Sequence, residues 1–180
     1  MLVACVSPEK IEGLRQNAPA RDGTAKQGPR KSAALMLDVG YCYTADRIAW
    51  MLEQVHDALW IAEGENVSFY GAPYPTRSVI ARLENGDLWI WSPVKLTANL
   101  RTEIDRLGSV RHLVSPNKLH HLYLREWKSA YPEAALWGPQ STIKKRYDLY
   151  FRPALKDTPP REWLSDVDQA WFRGSFAMDE

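Results

Sequence analysis

The chain has 180 residues, of which 45% are hydrophobic and 25% charged, which is the composition of a globular protein with one domain. A formal net charge of +1 gives no global attraction to nucleic acid or to an anionic membrane surface, so neither is predicted as a partner. The 2 cysteines, Cys5 and Cys42, have no disulfide-framework or zinc-ribbon spacing and favour a reducing cytoplasm as the location. No apolar run approaches the length of a membrane span.

Residues 1–43 are predicted to be a largely disordered leader, and residues 44–180 the folded domain. Residues 19–32 have almost no apolar side chains, so they cannot bury enough surface to offset the entropy lost on ordering. The alternative is a basic arm that binds an anion through Arg21, Lys26, Arg30 and Lys31. At the start of the domain, Thr44 as a cap and apolar side chains at helical spacing predict a helix over residues 44–55.

The centre of the chain has the pattern of strands. Residues 58–62, 77–83 and 88–91 are predicted strands, and Asn85-Gly86 between the last two predicts a hairpin, because both residues tolerate positive φ. A helix follows, with Thr97 as its N-cap, and Gly108 ends it. Its apolar stripe consists of Leu100, Ile104 and Leu107.

The second half alternates between strands and helices. Residues 110–114 predict a strand, residues from about 119 to 130 a helix, and residues 134–137 a short strand. Residues 169–172 are the candidate for a last strand. This succession predicts an α/β layered domain with a mixed sheet.

Several short motifs in residues 51–180 resemble a known family. They are Val67-Ser-Phe-Tyr-Gly71, Pro73-Tyr-Pro-Thr76, Leu88-Trp-Ile-Trp-Ser-Pro93, His112-Leu-Val-Ser-Pro-Asn-Lys-Leu-His-His121, Phe172-Arg-Gly-Ser175 and Met178-Asp-Glu180. Together they resemble a metallo-β-lactamase-like family, a domain of unknown function. The resemblance implies an αββα sandwich with a metal site at the rim of its sheets. Because family members continue with further strands, only the first half to two-thirds of the sandwich is expected here.

The metal-binding corner of that superfamily reads Thr-His-x-His-x-Asp-His, and this chain departs from it. Ser115 takes the Thr place, and Pro116 and Lys118 take the first two His places. His120 falls on the Asp, and only His121 falls on a matching His. The resemblance implies these two histidines as ligands of zinc or another divalent ion. A zinc centre needs at least three protein ligands, so we predict no zinc of structural-site affinity, and weak binding through His120 and His121 is the alternative.

The same corner supplies the candidate catalytic residues, His121 and His120. A helix macrodipole would keep His121 neutral, as a base requires; the alternatives are an exposed histidine at a helix start and, for His120, a histidine at the edge of the core. Lys118 places positive charge where a metal would sit, which favours an anionic substrate. Asn117 is either a substrate contact or the N-cap of the following helix. His112 is expected to point into the sheet packing.

The segment Phe69-Tyr-Gly-Ala-Pro-Tyr-Pro-Thr-Arg77 is a second candidate site. Its prolines fix the backbone, Tyr74 offers a hydroxyl, and Arg77 can clamp a carboxylate or phosphate. The alternative is a structural connection between two strands, with Arg77 paired to a nearby acid. Trp89 and Trp91 are predicted to lie in the core.

Taken together, the residues and the resemblance favour a metallo-hydrolase-like protein with a degenerate metal corner, acting on a small or anionic substrate. The alternative is a non-catalytic binding or scaffold protein that retains the fold without the metal. If the second sheet is missing, the face meant for it would expose Trp89 or Trp91. We then expect the chain to self-associate through this face.

Overall fold

The computed structural model describes residues 2–6 and 52–171, which contain ten strands and three helices. In chain order these elements are β1 (Leu2–Val6), β2 (Leu52–His56), β3 (Leu59–Glu63), β4 (Val67–Phe69), β5 (Ala72–Tyr74), β6 (Arg77–Arg82), β7 (Asp87–Trp91), α1 (Ala98–Leu107), β8 (Ser109–Val114), α2 (Leu124–Ala130), β9 (Ala135–Trp137), α3 (Gln140–Lys145) and β10 (Val167–Trp171).

Six strands form one mixed sheet in the order β2-β3-β6-β7-β8-β9. The first four are antiparallel neighbours, whereas β7, β8 and β9 are parallel. Parallel neighbours need a crossover, which α1 supplies between β7 and β8 and α2 between β8 and β9. The parallel strands therefore end at one edge of the sheet, after Trp91, Val114 and Trp137, which we call the carboxyl edge. The prediction of an α/β domain with a mixed sheet is confirmed.

Two smaller pairs accompany this sheet. Strands β4 and β5 form an antiparallel hairpin between β3 and β6, with Phe69 opposite Ala72. Strand β1 pairs antiparallel with β10, with Leu2 opposite Trp171. Strand β1 thus lies inside the segment predicted to be a leader. Residues 7–51 and 172–180 lie outside the described residues, so the leader boundary, the basic arm and the family motifs after residue 171 stay predictions.

Local sequence signals place several elements correctly. The Thr97 hydroxyl accepts a hydrogen bond from the Leu100 backbone N–H at 3.2 Å and caps α1, as predicted. The hairpin between β6 and β7 turns at Gly86, whose φ of 85° is in the left-handed region that glycine adopts freely. The predicted strands over residues 77–83, 88–91 and 110–114 correspond to β6, β7 and β8.

Two helix predictions are wrong in part. The expected helix over residues 44–55 fails at its described end, because Leu52–His56 is strand β2 paired with β3. The helix expected from about residue 119 begins only at Leu124 and has no side-chain cap. Residues 116–123 form turns instead, and Asn117 stabilises one of these turns and not the helix start.

The sheet is covered on both faces by apolar side chains. On one face, Ile80, Leu88 and Ile90 pack with Leu100 of α1 and Trp127 of α2. Each such fully buried aliphatic side chain stabilises the fold by about 1.5–3 kcal/mol relative to exposure. This helical face carries the larger of the two buried clusters.

The opposite face is covered by the segment that follows α3. Trp163, only 1% exposed, packs on Trp89 and Trp137, and His112 lies in the same cluster, as predicted. Trp89 is 4% exposed, so the expectation of an uncovered indole on this face is wrong for Trp89. Trp91, on the same side of β7, is half-buried.

Candidate functional site

Each parallel strand ends at the carboxyl edge with a small residue followed by proline. These pairs are Ser92-Pro93, Ser115-Pro116 and Gly138-Pro139. The Ser92 N–H donates to the Val114 carbonyl at 2.8 Å, and the Ser115 N–H donates to the Trp137 carbonyl at 2.9 Å. The following proline has no N–H, so the ladder stops there and the chain turns away. The edge is therefore a set of tight corners that hold side chains in fixed positions.

Ser92 occupies an unusual backbone conformation at the first of these corners. Its φ is 55°, and among the described non-glycine residues only Tyr70 shares a positive φ. Such a conformation costs about 1–3 kcal/mol and persists only where surrounding structure imposes it. Ser92 is also buried, with 5% of its surface exposed. Backbone strain of this kind concentrates at functional sites, so Ser92 becomes a candidate that the sequence pattern did not single out.

The Ser92 side chain contacts His120 from the neighbouring corner. Oγ of Ser92 lies 2.5 Å from Nδ1 of His120, a short hydrogen bond between loops 28 positions apart in sequence. The His120 ring also lies beside Trp91, with centroids 6.1 Å apart. Burial lowers the pKa of His120, so the ring is neutral near pH 7. In the tautomer that carries its proton on Nε2, Nδ1 accepts the hydrogen bond from the serine hydroxyl.

A network of buried polar groups holds His120 in place. The Ser115 hydroxyl lies within donating distance of two carbonyls, those of Asn117 at 2.9 Å and His120 at 3.1 Å. Oδ1 of Asn117 accepts from the Leu119 N–H at 2.9 Å, which stabilises the turn. Asn117 is 1% exposed, and its side chain thereby supports the loop that carries His120.

His121 points away from this contact and lies beside helix α3. Its carbonyl accepts a hydrogen bond from Nη1 of Arg146 at 2.6 Å, and the Lys118 carbonyl accepts from Nζ of Lys145 at 3.2 Å. Burial, and then the positive charges of Lys145 and Arg146, lower the pKa of His121. The two adjacent histidines therefore lie in different surroundings: His120 contacts Ser92, and His121 lies beside α3.

The residues of the corner do not fit a zinc centre. Within residues 52–171, no group of three or more His, Cys, Asp or Glu side chains is arranged to hold a metal ion. Nδ1 of His120 is engaged by Ser92, and cationic side chains surround His121. Pro116 and Lys118 beside them carry side chains that are not usual zinc ligands. The His120 imidazole is thus placed to hydrogen-bond with Ser92, and the His121 imidazole lies near two cationic side chains.

The aromatic hairpin of β4 and β5 rises from the same edge of the sheet. It connects the end of β3 to the start of β6, where Arg77 pairs with Glu63 at the surface, with Nε and Oε1 2.7 Å apart. Tyr74 is 54% exposed, and its ring lies 5.9 Å from that of Phe69. The hairpin base approaches the Ser92 corner, because Glu65 pairs with Lys95 at 3.1 Å. Tyr74 and Arg77 therefore lie at the carboxyl edge but not in contact with either corner histidine.

A groove of about 420 Å³ lies at the opposite edge of the sheet, where β8 begins. Its walls include Asp105 and Tyr131, and the Tyr131 hydroxyl donates to the Asp105 carboxylate at 2.9 Å. Burial and this carboxylate raise the pKa of Tyr131, so the phenol stays protonated. The groove contains none of the histidines, and its phenol is a structural hydrogen-bond donor.

Comparison with known proteins gives no family assignment: no protein-family model and no curated protein matches the sequence. Among the described helices, none has the length and apolar character needed to cross a membrane.

The sequence pointed to His120 but not to its partner. A serine before proline at the end of an apolar strand occurs twice, as Ser92-Pro93 and Ser115-Pro116. This repeated Ser-Pro pair was the sequence signal that could have identified Ser92 as a candidate. Only the three-dimensional structure distinguishes the serine with positive φ that contacts the imidazole from the one that holds the loop.

Proposed function

We propose that this protein is a metallo-β-lactamase-like domain with a degenerate metal corner, and that it acts as a hydrolase through Ser92 and His120. The observation that carries the proposal is the 2.5 Å contact between the serine Oγ and the His120 Nδ1. A serine within hydrogen-bonding reach of a neutral imidazole is the basic arrangement for nucleophilic catalysis. The strained backbone at Ser92 supports the assignment, since a nucleophile at a sharp strand-end turn has similar strain in other hydrolases.

The reaction that this pair supports is hydrolysis of a small ester. Nδ1 of His120 takes the Ser92 proton while Oγ forms a bond to the acyl carbon. The bond from that carbon to the leaving oxygen then breaks, and the leaving oxygen takes the proton from Nδ1. Water attacks the acyl group on Ser92 and gives a proton to Nδ1, and this proton returns to Oγ as the acid is released. The products are one carboxylic acid and one alcohol.

Two features predict slow turnover. Pro93 follows the nucleophile and has no N–H, so the backbone donor that often completes an oxyanion hole is missing at this position. Among the described residues, no carboxylate is hydrogen-bonded to the His120 ring, and burial is the only cause that lowers its pKa. The ring is oriented by Ser92 and by its own loop, and the transition state receives less electrostatic stabilisation than in a complete triad.

The proposal is tested by hydrolysis of p-nitrophenyl acetate with the full chain. We expect kcat/KM to fall by about 100-fold or more in Ser92→Ala and in His120→Gln, because general-base catalysis contributes this much. The matched controls are Ser165→Ala and His56→Gln, which change an exposed serine and a histidine on β2 remote from the corner. A Ser92→Ala variant that folds and hydrolyses the ester like the unchanged protein would contradict the proposal.

A second candidate function is a non-catalytic binding or scaffold protein. The observation that favours it is the burial of the corner serines, since Ser92 is 5% and Ser115 0% exposed. In this case the Ser92–His120 hydrogen bond would only stabilise the contact between two loops. Ser92→Ala would then lower the melting temperature, and neither the unchanged protein nor any variant would hydrolyse the ester. Measuring thermal stability and ester hydrolysis on the same preparations therefore separates the two functions.

A further inference from the structure

Helix α3 and the loop after β8 form a junction next to the proposed dyad. We define the α3 junction as residues 118–121 together with residues 140–146. Two side chains reach the loop. Lys145 of α3 donates a hydrogen bond to the Lys118 carbonyl, and Arg146, the C-cap of α3, donates one to the His121 carbonyl. The Arg146 guanidinium is fixed further by the Asp148 carboxylate, with N–O distances of 2.8 and 2.9 Å. Lys145 and Arg146 thus hold the loop to α3 and lie near His121.

Three polar atoms of the junction are buried without a hydrogen-bond partner among the described residues. They are Nδ1 of His121, Oγ of Ser141 and Oγ1 of Thr142. Thr142 is fully buried, with 0% of its surface exposed. Buried polar groups in native proteins are nearly always paired, so unpaired ones point to a bound ion or water. Ser141 and Lys145 are four residues apart on α3 and therefore share one helix face.

The charges of the junction select the kind of ligand. Lys145 and Arg146 face His121 from α3 and its C-cap, and Lys118 belongs to the loop itself. Asp148 opposes them, but its carboxylate is already paired with Arg146 and Arg125. The two cationic side chains that reach the loop thus lie on the same junction as the buried, unpaired polar atoms. An anion suits a site of this charge.

We propose that the α3 junction binds a phosphate group, with Lys145, His121 and Ser141 as its principal contacts. A phosphate offers three strong acceptor oxygens, which matches the three kinds of donor that the junction contains: an ammonium, a hydroxyl and an imidazole N–H. His121 follows His120 directly, so the junction and the dyad share one loop. We assign the phosphate to an ester substrate, as its recognition group. The role in substrate recognition rests on the proposed function, whereas the binding itself does not.

The binding is tested by NMR titration of the histidine side chains of the full chain with inorganic phosphate. Sodium chloride at matched ionic strength serves as the reference. We expect a saturable shift at His121, because a bound anion changes the surroundings of its imidazole, while the His56 resonances stay unchanged. Lys145→Met should weaken binding about tenfold through loss of a charge-assisted hydrogen bond. Lys144→Met is the matched control, since Lys144 precedes it on α3, is equally exposed, and has no hydrogen bond to the loop among the described contacts.

The source of the phosphate is decided by ester kinetics. Phenyl acetate is compared with 4-acetoxyphenyl phosphate, which carries the same acetyl ester and one phosphate. A KM about tenfold lower for the phosphate-bearing ester, lost in Lys145→Met, assigns the site to the substrate. Saturable phosphate binding with equal KM values assigns it to free phosphate.

Other results overturn the inference. One is the absence of a saturable His121 shift. The other is an equal loss of phosphate affinity in Lys144→Met and Lys145→Met, which would indicate attraction by diffuse charge only. Neither result affects the Ser92–His120 proposal if ester turnover persists. Conversely, phosphate binding without ester hydrolysis contradicts the proposed reaction and leaves the phosphate site standing.

Discussion

Replacing Trp163 by alanine tests whether the segment after α3 closes the second face of the sheet. The indole is 1% exposed and packs edge-on against Trp137 at 4.7 Å, His112 at 5.1 Å and Trp89 at 6.1 Å between ring centroids. Truncation of a buried tryptophan to alanine costs about 3–5 kcal/mol, and the edge-to-face contacts are part of that loss. Typical domains have a free energy of unfolding of about 5–15 kcal/mol, so a large share of the stability should disappear.

The measurement is urea unfolding followed by far-UV circular dichroism, since the chain has 8 tryptophans and a fluorescence baseline would change with the substitution. Leu164→Ala is the matched control, because this neighbour is 50% exposed and its loss should cost less than about 1 kcal/mol. Trp163→Phe keeps an aromatic ring and should fall between the two. If Trp163→Ala were no less stable than Leu164→Ala, the segment would not cover the sheet. Sedimentation of the alanine variant should also show self-association, since it uncovers Trp89 and Trp137.

Two further predictions concern packing and pH. Gly64→Ala should destabilise the fold by about 1–3 kcal/mol, since its methyl would overlap Thr76 Oγ1 and lie 2.9 Å from Val94 Cβ. Gly138→Ala is the control in the same unfolding experiment and should cost less, because its nearest neighbour would be 3.3 Å away. Acid should destabilise the protein: burial lowers the folded-state pKa of three histidines, so below about pH 6.5 the unfolded chain binds more protons. The free energy of unfolding should therefore fall as pH drops from 7.5 to 5. It should fall less steeply in a variant in which glutamine replaces His112 and His120, the most buried imidazoles. Equal slopes for the two proteins would contradict this explanation.

Sequence patterns predicted the elements whose signals are local. Thr97 caps its helix, Asn85-Gly86 turns the hairpin, and the apolar runs of β7 and β8 are strands, because each depends on residues within one turn or one strand. The helix expected over residues 44–55 failed at Leu52–His56, where pairing with β3 outweighs the helical spacing of apolar side chains. Tertiary pairing of this kind has no signature in a short window.

The candidate site was predictable only in part for the same reason. His120 and His121 stand out as adjacent imidazoles after a strand, but their rings separate towards different elements. The partner of His120 is Ser92, which lies 28 positions away in the sequence. The role of Ser92 depends on its positive φ, which the residue type does not predict. Likewise, Trp163 covers Trp89 from a segment whose apolar residues have weak periodicity. The sequence pattern therefore did not predict that this face of the sheet is covered.

The most direct measurement is covalent labelling of the full chain with diisopropyl fluorophosphate, followed by intact mass and peptide mapping. A serine activated by an imidazole attacks the phosphorus and displaces fluoride, so we expect one adduct, located on Ser92, and none in the His120→Gln variant. The exposed Ser165 should remain unmodified, because its hydroxyl bonds to Asp166 and none of the described contacts joins it to an imidazole. An unmodified chain, or an adduct on Ser165 in place of Ser92, would contradict a Ser92–His120 nucleophile.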